Sequence, residues 1–209
     1  MNVEFYFDPS CPFSWITSRW LLIASNERDI TISWKPFSLA LKNKELTDTE
    51  NLHRGWHQTS HRLLRVMSAA EQHNQASLVR LYTISGLKRH VLGEEITDDF
   101  IKAVLTDQKL PESLLGAADD QQYDAGLQQL VDEAVNIGGS DIGVPFIVFE
   151  NNDGTKQGFF GPVLQTLPSK KESLDLWDGL SKLATNTSFY ELKRSRPNTM
   201  PDTLSTSSC

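Results

Sequence analysis

The sequence predicts an α/β fold in which a strand–helix–strand unit and a closing strand–strand–helix unit flank a large α-helical insertion. Three observations carry this expectation. A β-to-α step opens the chain, the apolar residues switch to helical spacing through its middle, and a hairpin followed by one more amphipathic helix closes it.

Residues 2–8 place Val3, Phe5 and Phe7 on one face and Tyr6 on the other, the pattern of a mostly buried strand. Residues 12–26 read as a helix opened by Pro12, whose missing N–H costs nothing in a first turn. Ile30, Ile32 and Trp34 then alternate with polar residues and the run stops near Pro36, giving a second strand and a parallel βαβ unit.

From about residue 46 to 137 the period is helical. Leu63, Val66, Met67 and Ala70 form one stripe, Leu78, Leu81 and Tyr82 a second, Phe100, Ile101, Val104 and Leu105 a third. Leu127, Leu130, Val131 and Ala134 form a fourth, which Gly138 and Gly139 can terminate. In the segment "GVPFIVFENNDGTKQGFFGP" Val144–Phe149 is a buried-strand run, Asn152-Asp153-Gly154 a turn and Gln157–Phe160 a second strand. Leu176, Trp177, Leu180 and Leu183 mark the last helix. The expected organisation is therefore residues 1–45 and 138–194 as one α/β domain, 46–137 as an inserted helical subdomain, and 195–209, rich in Ser, Thr, Pro and Asn, as a disordered tail.

Composition excludes several function classes. The 209 residues are 39% hydrophobic and 22% charged, which suits a soluble core-forming chain. A net charge of −7 disfavours a phosphate backbone or an anionic membrane surface as partner. No run approaches the roughly 20 apolar residues that span a bilayer, and Met1 leads straight into the first strand, so a cytoplasmic location is expected. Cys11 and Cys209 are the only cysteines, which fits a reducing compartment.

One of these two thiols stands where chemistry is expected. In "FDPSCPFSW" Cys11 directly precedes the helix, so its sulfur faces unpaired N–H groups and the positive end of the helix dipole. An ordinary thiol with a pKa near 8.5 is only a few per cent ionised at pH 7, whereas thiols at such positions fall to about 3.5–7.5. Cys11 is therefore the candidate nucleophile. A serine, Ser14, occupies the place of a second thiol. A hydroxyl cannot resolve a mixed disulfide, so an external thiol must do it, and Ser14 is left to hydrogen-bond the Cys11 thiolate. Cys209, on the tail, is not expected to resolve it.

"CPFS" resembles the Cys-Pro-x-Cys site of the DsbA family, and "GVPFIVF" resembles that family's cis-proline segment. The element order is that of the thioredoxin fold with a helical insertion between the second strand and the cis-Pro strand. More of the chain, "FDPSCPFSWITSRWL", "SLAL", "SAAEQ", "LYT", "FFGPVL", "LWDG" and "ELKR", is similar to the mycothiol-dependent nitroreductase group of DsbA-like oxidoreductases of actinobacteria, over about residues 4–194. The resemblance implies a thiol-disulfide oxidoreductase with mycothiol or glutathione as co-substrate, no tightly bound cofactor, and reduction of nitro or other electrophilic compounds. It also implies that Val144 and a cis Pro145 lie across from Cys11 and orient the thiol ligand, with Pro12, Phe13 and Trp15 beside it.

"CPFSW" also resembles the Ser-Pro-x-Ser-Trp-like site of kappa-class glutathione transferases and 2-hydroxychromene-2-carboxylate isomerases. There a hydroxyl stabilises a bound thiolate, so Cys11 would donate a hydrogen bond and the reaction would be conjugation or isomerisation. A third reading is a non-catalytic binding module thiolated at Cys11. Small-molecule or thiolated-protein substrates and a homodimer are the expected partners.

His53, His57 and His61 share one helix face in "HRGWHQTSH". No cysteine or paired carboxylate nearby completes a metal shell, so no metal is expected, and Trp56 and His57 are instead candidates for lining a substrate pocket.

Overall fold

The computed structural model of the chain describes residues 1–74, 78–151 and 153–207. Asn152 of the expected turn, and Cys209, lie outside the described residues. Four strands, β1 (Asn2–Phe7), β2 (Thr31–Pro36), β3 (Phe146–Glu150) and β4 (Lys156–Phe160), form a sheet of order β2-β1-β3-β4. β1 and β3 run antiparallel with Val3 opposite Phe149 and Tyr6 opposite Phe146, and β3 and β4 run antiparallel with Phe146 opposite Phe160. The two central strands are those that read as buried runs, and Phe5, Phe7, Phe146, Ile147 and Phe149 are fully enclosed. Gly158 on β4 is required by packing: a Cβ there would sit 2.2 Å from Cζ of Phe146.

The chain divides into two compact units. The first comprises Met1–Phe7, Cys11–Lys35 and the chain from Ala134 onward. In it helix α1 (Pro12–Ser25) packs against the last helix, Lys170–Ala184. The Trp20 indole donates to the Ser173 carbonyl at 3.0 Å, and the Trp20 and Trp177 rings lie 6.0 Å apart. That last helix begins with a capping box in which Ser169 and Glu172 exchange side-chain-to-backbone bonds, satisfying two otherwise orphan N–H groups.

The second unit comprises Asp8–Ser10 and Pro36–Glu133, boundaries shifted from the 46–137 expected from the sequence. It contains α2 (Leu39–Lys42), α3 (Arg54–Asn74), α4 (Leu78–Gly86), α5 (Asp98–Asp107) and most of α6 (Asp124–Gly138), with the closing helix Lys170–Ala184 of the first unit as α7. The stripes expected on α3, α4 and α5 are buried as read. A single π-helical turn at Leu87–Val91 and a 3₁₀ helix at Glu112–Asp119 were not legible, because segments of five and eight residues carry too little periodicity. Arg62 clasps Asp119 and Asp98, and Arg65 clasps Asp124 with two bonds of 2.6 and 2.7 Å.

The expectation of a disordered tail over 195–209 is corrected for much of its length. Thr203–Thr206 forms a 3₁₀ turn capped by Asp202, and Thr206 is buried. The tail adds little apolar surface, but its polar groups find distant partners. The Leu167 N–H donates to Ser205 Oγ at 2.9 Å, the Asp202 N–H to the Gln165 carbonyl at 2.8 Å, and the Gln165 side-chain amide to the Met200 carbonyl at 2.9 Å. Composition reports local burial capacity; it is blind to such pairings.

Candidate active site

Cys11 is the N-cap of α1, with extended backbone (φ −86°, ψ 111°), and Pro12 occupies the first helical position. Its Sγ accepts the Ser14 backbone N–H at 3.4 Å, one of the orphan donors of the helix start. The same thiol points at the Val144 carbonyl oxygen, 3.4 Å away. The sulfur is half-buried between a helix N-terminus, which favours negative charge, and the backbone of the residue before Pro145. The Val144-Pro145 and Gly161-Pro162 peptide bonds are both cis. The Gly161 N–H donates to the Pro145 carbonyl at 2.8 Å, and Thr17 Oγ1 of α1 donates to the Pro162 carbonyl at 2.7 Å. These bonds tie both proline segments to the helix that carries Cys11.

Ser14 differs from its expected role. Its hydroxyl is buried and has no hydrogen-bond partner among the described residues, so the contact with Cys11 comes from its main chain. An N-cap side chain accepts from a backbone N–H two or three positions on, and any residue at 14 except proline would supply that bond.

Trp15 is corrected as well. Expected beside the thiol ligand, it is instead buried, with the Arg19 guanidinium 4.3 Å from its ring centroid and its indole N–H donating to Thr206 Oγ1 at 2.8 Å. Phe13 is half-buried, and the guanidinium of Arg196 lies 5.1 Å from its ring centroid. Pro12, Phe13, Val144 and Pro145 thus gather with Cys11 in the first unit. Arg196 was missed; its one legible signal was the basic run of "ELKRSR" in an acidic chain.

The second unit holds the other candidates. Asp8 is fully buried and its carboxylate accepts from Ser10 N–H at 2.8 Å, Ser10 Oγ at 2.7 Å, Leu39 N–H at 2.8 Å and the Ser60 hydroxyl. The His90 Nε2–H meets the Pro9 carbonyl at 2.9 Å, and burial pushes its imidazole pKa down to about 4, so the ring is neutral near pH 7. Trp56 borders a groove of about 290 Å³ shared with Ser10, Thr59, Arg89 and Glu95, with Arg89 5.4 Å from its ring centroid. His57 does not line this groove. Its Nδ1 is buried without a hydrogen-bond partner among the described residues, and burial holds its pKa below the usual histidine value.

The three histidines do not all converge: the His53 and His57 rings lie 6.3 Å apart edge to face, and His61 has other partners. His53 stacks on Trp56 at 4.7 Å, while His61 sits between Ser38 and Asp124. Burial, aided by Arg65, lowers the His61 pKa, which favours the neutral ring beside Asp124. The carboxylate can only accept, which puts the proton on Nε2 and leaves Nδ1 to accept from the Ser38 hydroxyl. Among the described residues no group of three or more His, Cys, Asp or Glu side chains is arranged to hold a metal. Among the described residues no helix is long and apolar enough to cross a membrane.

Residues 10–194 match the family described as Rv2466c-like, mycothiol-dependent nitroreductase Rv2466c. The chain belongs to that family. The span matched to the Rv2466c-like family includes Cys11–Ser14 and the helices from α2 to α7. The chain is also 31% identical over 195 residues to the uncharacterized protein Rv2286c of Mycobacterium tuberculosis, covering 92% of this chain and 81% of that protein. Among solved structures it resembles the cytosolic disulfide reductase DsbM from Pseudomonas aeruginosa, solved alone and with GSH. The DsbM comparison without GSH has a TM-score of 0.59 at 13% identity over 88% of this chain and all of that one. It also resembles the probable DsbA oxidoreductase SCO1869 from Streptomyces coelicolor, with a TM-score of 0.57 at 15% identity over 95% and 97% of the two chains. The Rv2466c-like chain therefore has the DsbA-like thioredoxin fold.

Proposed function

We propose that the protein is a cytoplasmic monothiol oxidoreductase in which Cys11 exchanges with a low-molecular-weight thiol, mycothiol by its family, and reduces disulfides and nitro or other electrophilic compounds. The observation that carries this reading is the position of Cys11 Sγ. It caps α1 on the Ser14 N–H and faces the Val144 carbonyl, with a hydroxyl residue in place of a second thiol.

The chemistry follows from that arrangement. The Cys11 thiolate attacks a disulfide R–S–S–R, the S–S bond breaks, and Cys11–S–S–R forms as R–S⁻ leaves. Ser14 cannot displace R, so a second thiolate attacks the mixed disulfide, restores Cys11 as thiolate and carries R away as a new disulfide. For a nitro compound, Cys11 and one small thiol together give up two electrons and two protons. The products are the nitroso compound, water and the Cys11 mixed disulfide, which a second small thiol resolves. The Val144 backbone orients the small thiol beside the sulfur, and Pro12 and Phe13 flank it.

The test is intact mass after incubation with mycothiol disulfide and with glutathione disulfide from pH 5 to 9, for the native chain and for Cys11→Ala. One added thiol on Cys11, formed well below pH 8 and absent in Cys11→Ala, is the expected result. Modification only as an ordinary thiol ionises would overturn the reading in favour of a transferase or isomerase in which Cys11 only donates a hydrogen bond. A stable adduct that no thiol removes would point to the non-catalytic, thiolated binding module.

A further inference from the structure

The chain is acidic, yet "ELKRSR" puts Lys193, Arg194 and Arg196 within four residues. All three are exposed, and none is ion-paired to a described carboxylate within 4.0 Å. In the same unit Lys171 pairs with Asp175 and Arg28 with Asp178. These three are left available.

Arg196 of this cluster is also placed. Arg196 lies over the ring of Phe13, the variable residue of the Cys-Pro-x-Ser motif, and two positions beyond Cys11. A guanidinium stacked on an aromatic face keeps its N–H edge open, and that edge is the fork that meets a carboxylate with two parallel bonds. The segment is held as well: a few residues on, the chain is pinned by Gln165 at Met200 and Asp202, by Leu167 at Ser205, and by Trp15 at Thr206. Arg196 therefore belongs to a docked stretch that begins beside the motif and returns to its helix.

We propose that Arg196, supported by Lys193 and Arg194, is a specificity-determining residue that selects carboxylate-bearing disulfides as the substrates of Cys11. The inference rests on the monothiol reading above and names the substrate class of that site. In the step concerned the Cys11 thiolate attacks the sulfur of R–S–S–R, Cys11–S–S–R forms and R–S⁻ departs, while Arg196 binds a carboxylate carried on R. Removal of R by mycothiol then needs no anion.

The test uses the full chain carrying Cys209→Ser, so that Cys11 is the one thiol. Rates of its thiolation are measured by mass with glutathione disulfide, which carries four carboxylates, and with cystamine, which is cationic. Arg196→Glu is compared with the same charge change at a remote exposed position, Lys182→Glu on α7. The expected result is a glutathione-to-cystamine rate ratio lower by about threefold or more in Arg196→Glu, unchanged in Lys182→Glu, and with the difference compressed in 0.5 M salt. Adducts that form in all variants with the same ratio, or a ratio that shifts equally in both, would overturn the role of Arg196 and leave the monothiol reading standing. Absence of any adduct on the unmutated Cys11 would overturn that reading and the inference with it.

Discussion

The indole N–H of Trp15 donates to Thr206 Oγ1 at 2.8 Å across 191 positions of sequence. Trp15 is in the first turn of α1 and both partners are buried, so the bond fastens the end of the chain to the helix that presents Cys11. Removing one partner strands a buried donor. Thr206→Val should cost about 1–3 kcal/mol in urea unfolding, and adding Trp15→Phe should not add a further full penalty, because the orphaned N–H is then gone. Additive losses in the double variant would show that the hydrogen bond is not what holds the tail.

Ser14 carries a buried hydroxyl with no partner among the described residues. Ser14→Ala removes that desolvated group without touching the main-chain bond to the sulfur, so stability should stay level or rise by up to about 1 kcal/mol. The rate of Cys11 alkylation should change by less than about twofold, since main-chain capping is retained. A large drop in reactivity would restore the hydroxyl as the group that stabilises the thiolate.

Ser14→Cys places a second sulfur one helical turn from the first, with the Ser14 N–H already 3.4 Å from Cys11 Sγ. Oxidation should then close an intramolecular disulfide, and mild oxidant should give a mass loss of two hydrogens in place of a thiol adduct. Persistence of the one-thiol adduct in this variant would mean the two positions cannot be bridged.

Asp8 is buried and accepts from four donors, three on Oδ1 and the Leu39 N–H on Oδ2. Asp8→Asn turns one acceptor into an amino group facing a donor, and should destabilise the fold by about 1–3 kcal/mol in urea. An Asn variant as stable as the native chain would show that the loop before Cys11 is held by something else.

His90 gives a pH dependence with a defined sign. Burial lowers its pKa to about 4 in the folded chain, against a usual value near 6.5. The unfolded chain therefore takes up a proton first. The contribution is fully present above about pH 6.5 and is lost as the pH falls from there to about 4, amounting to about 3 kcal/mol at roughly 1.4 kcal/mol per pKa unit. His57 and His61 are lowered as well and act in the same direction. Urea midpoints between pH 4 and 7 should fall on acidification, and less steeply for His90→Gln, whose amide can still donate to the Pro9 carbonyl.

Periodicity and one cap were enough to read most of this molecule. Val3, Phe5 and Phe7 declared a strand, Pro12 declared the helix start, and together they located Cys11 at an N-terminus, because strand period, helix period and N-cap chemistry are local properties of a few neighbouring residues. The stripes on α3 to α6 were legible for the same reason. What only the tertiary structure decided depends on groups far apart in sequence. The Val144 carbonyl opposite the Cys11 sulfur, the Leu39 and Ser60 donors on Asp8, the burial of Trp15 against Thr206 and the placing of Arg196 over Phe13 each pair a residue with a partner tens to nearly two hundred positions away. Hydrogen-bond satisfaction and charge placement are long-range properties of the folded chain, so the tail that composition marked as disordered became a docked part of the thiol-bearing unit.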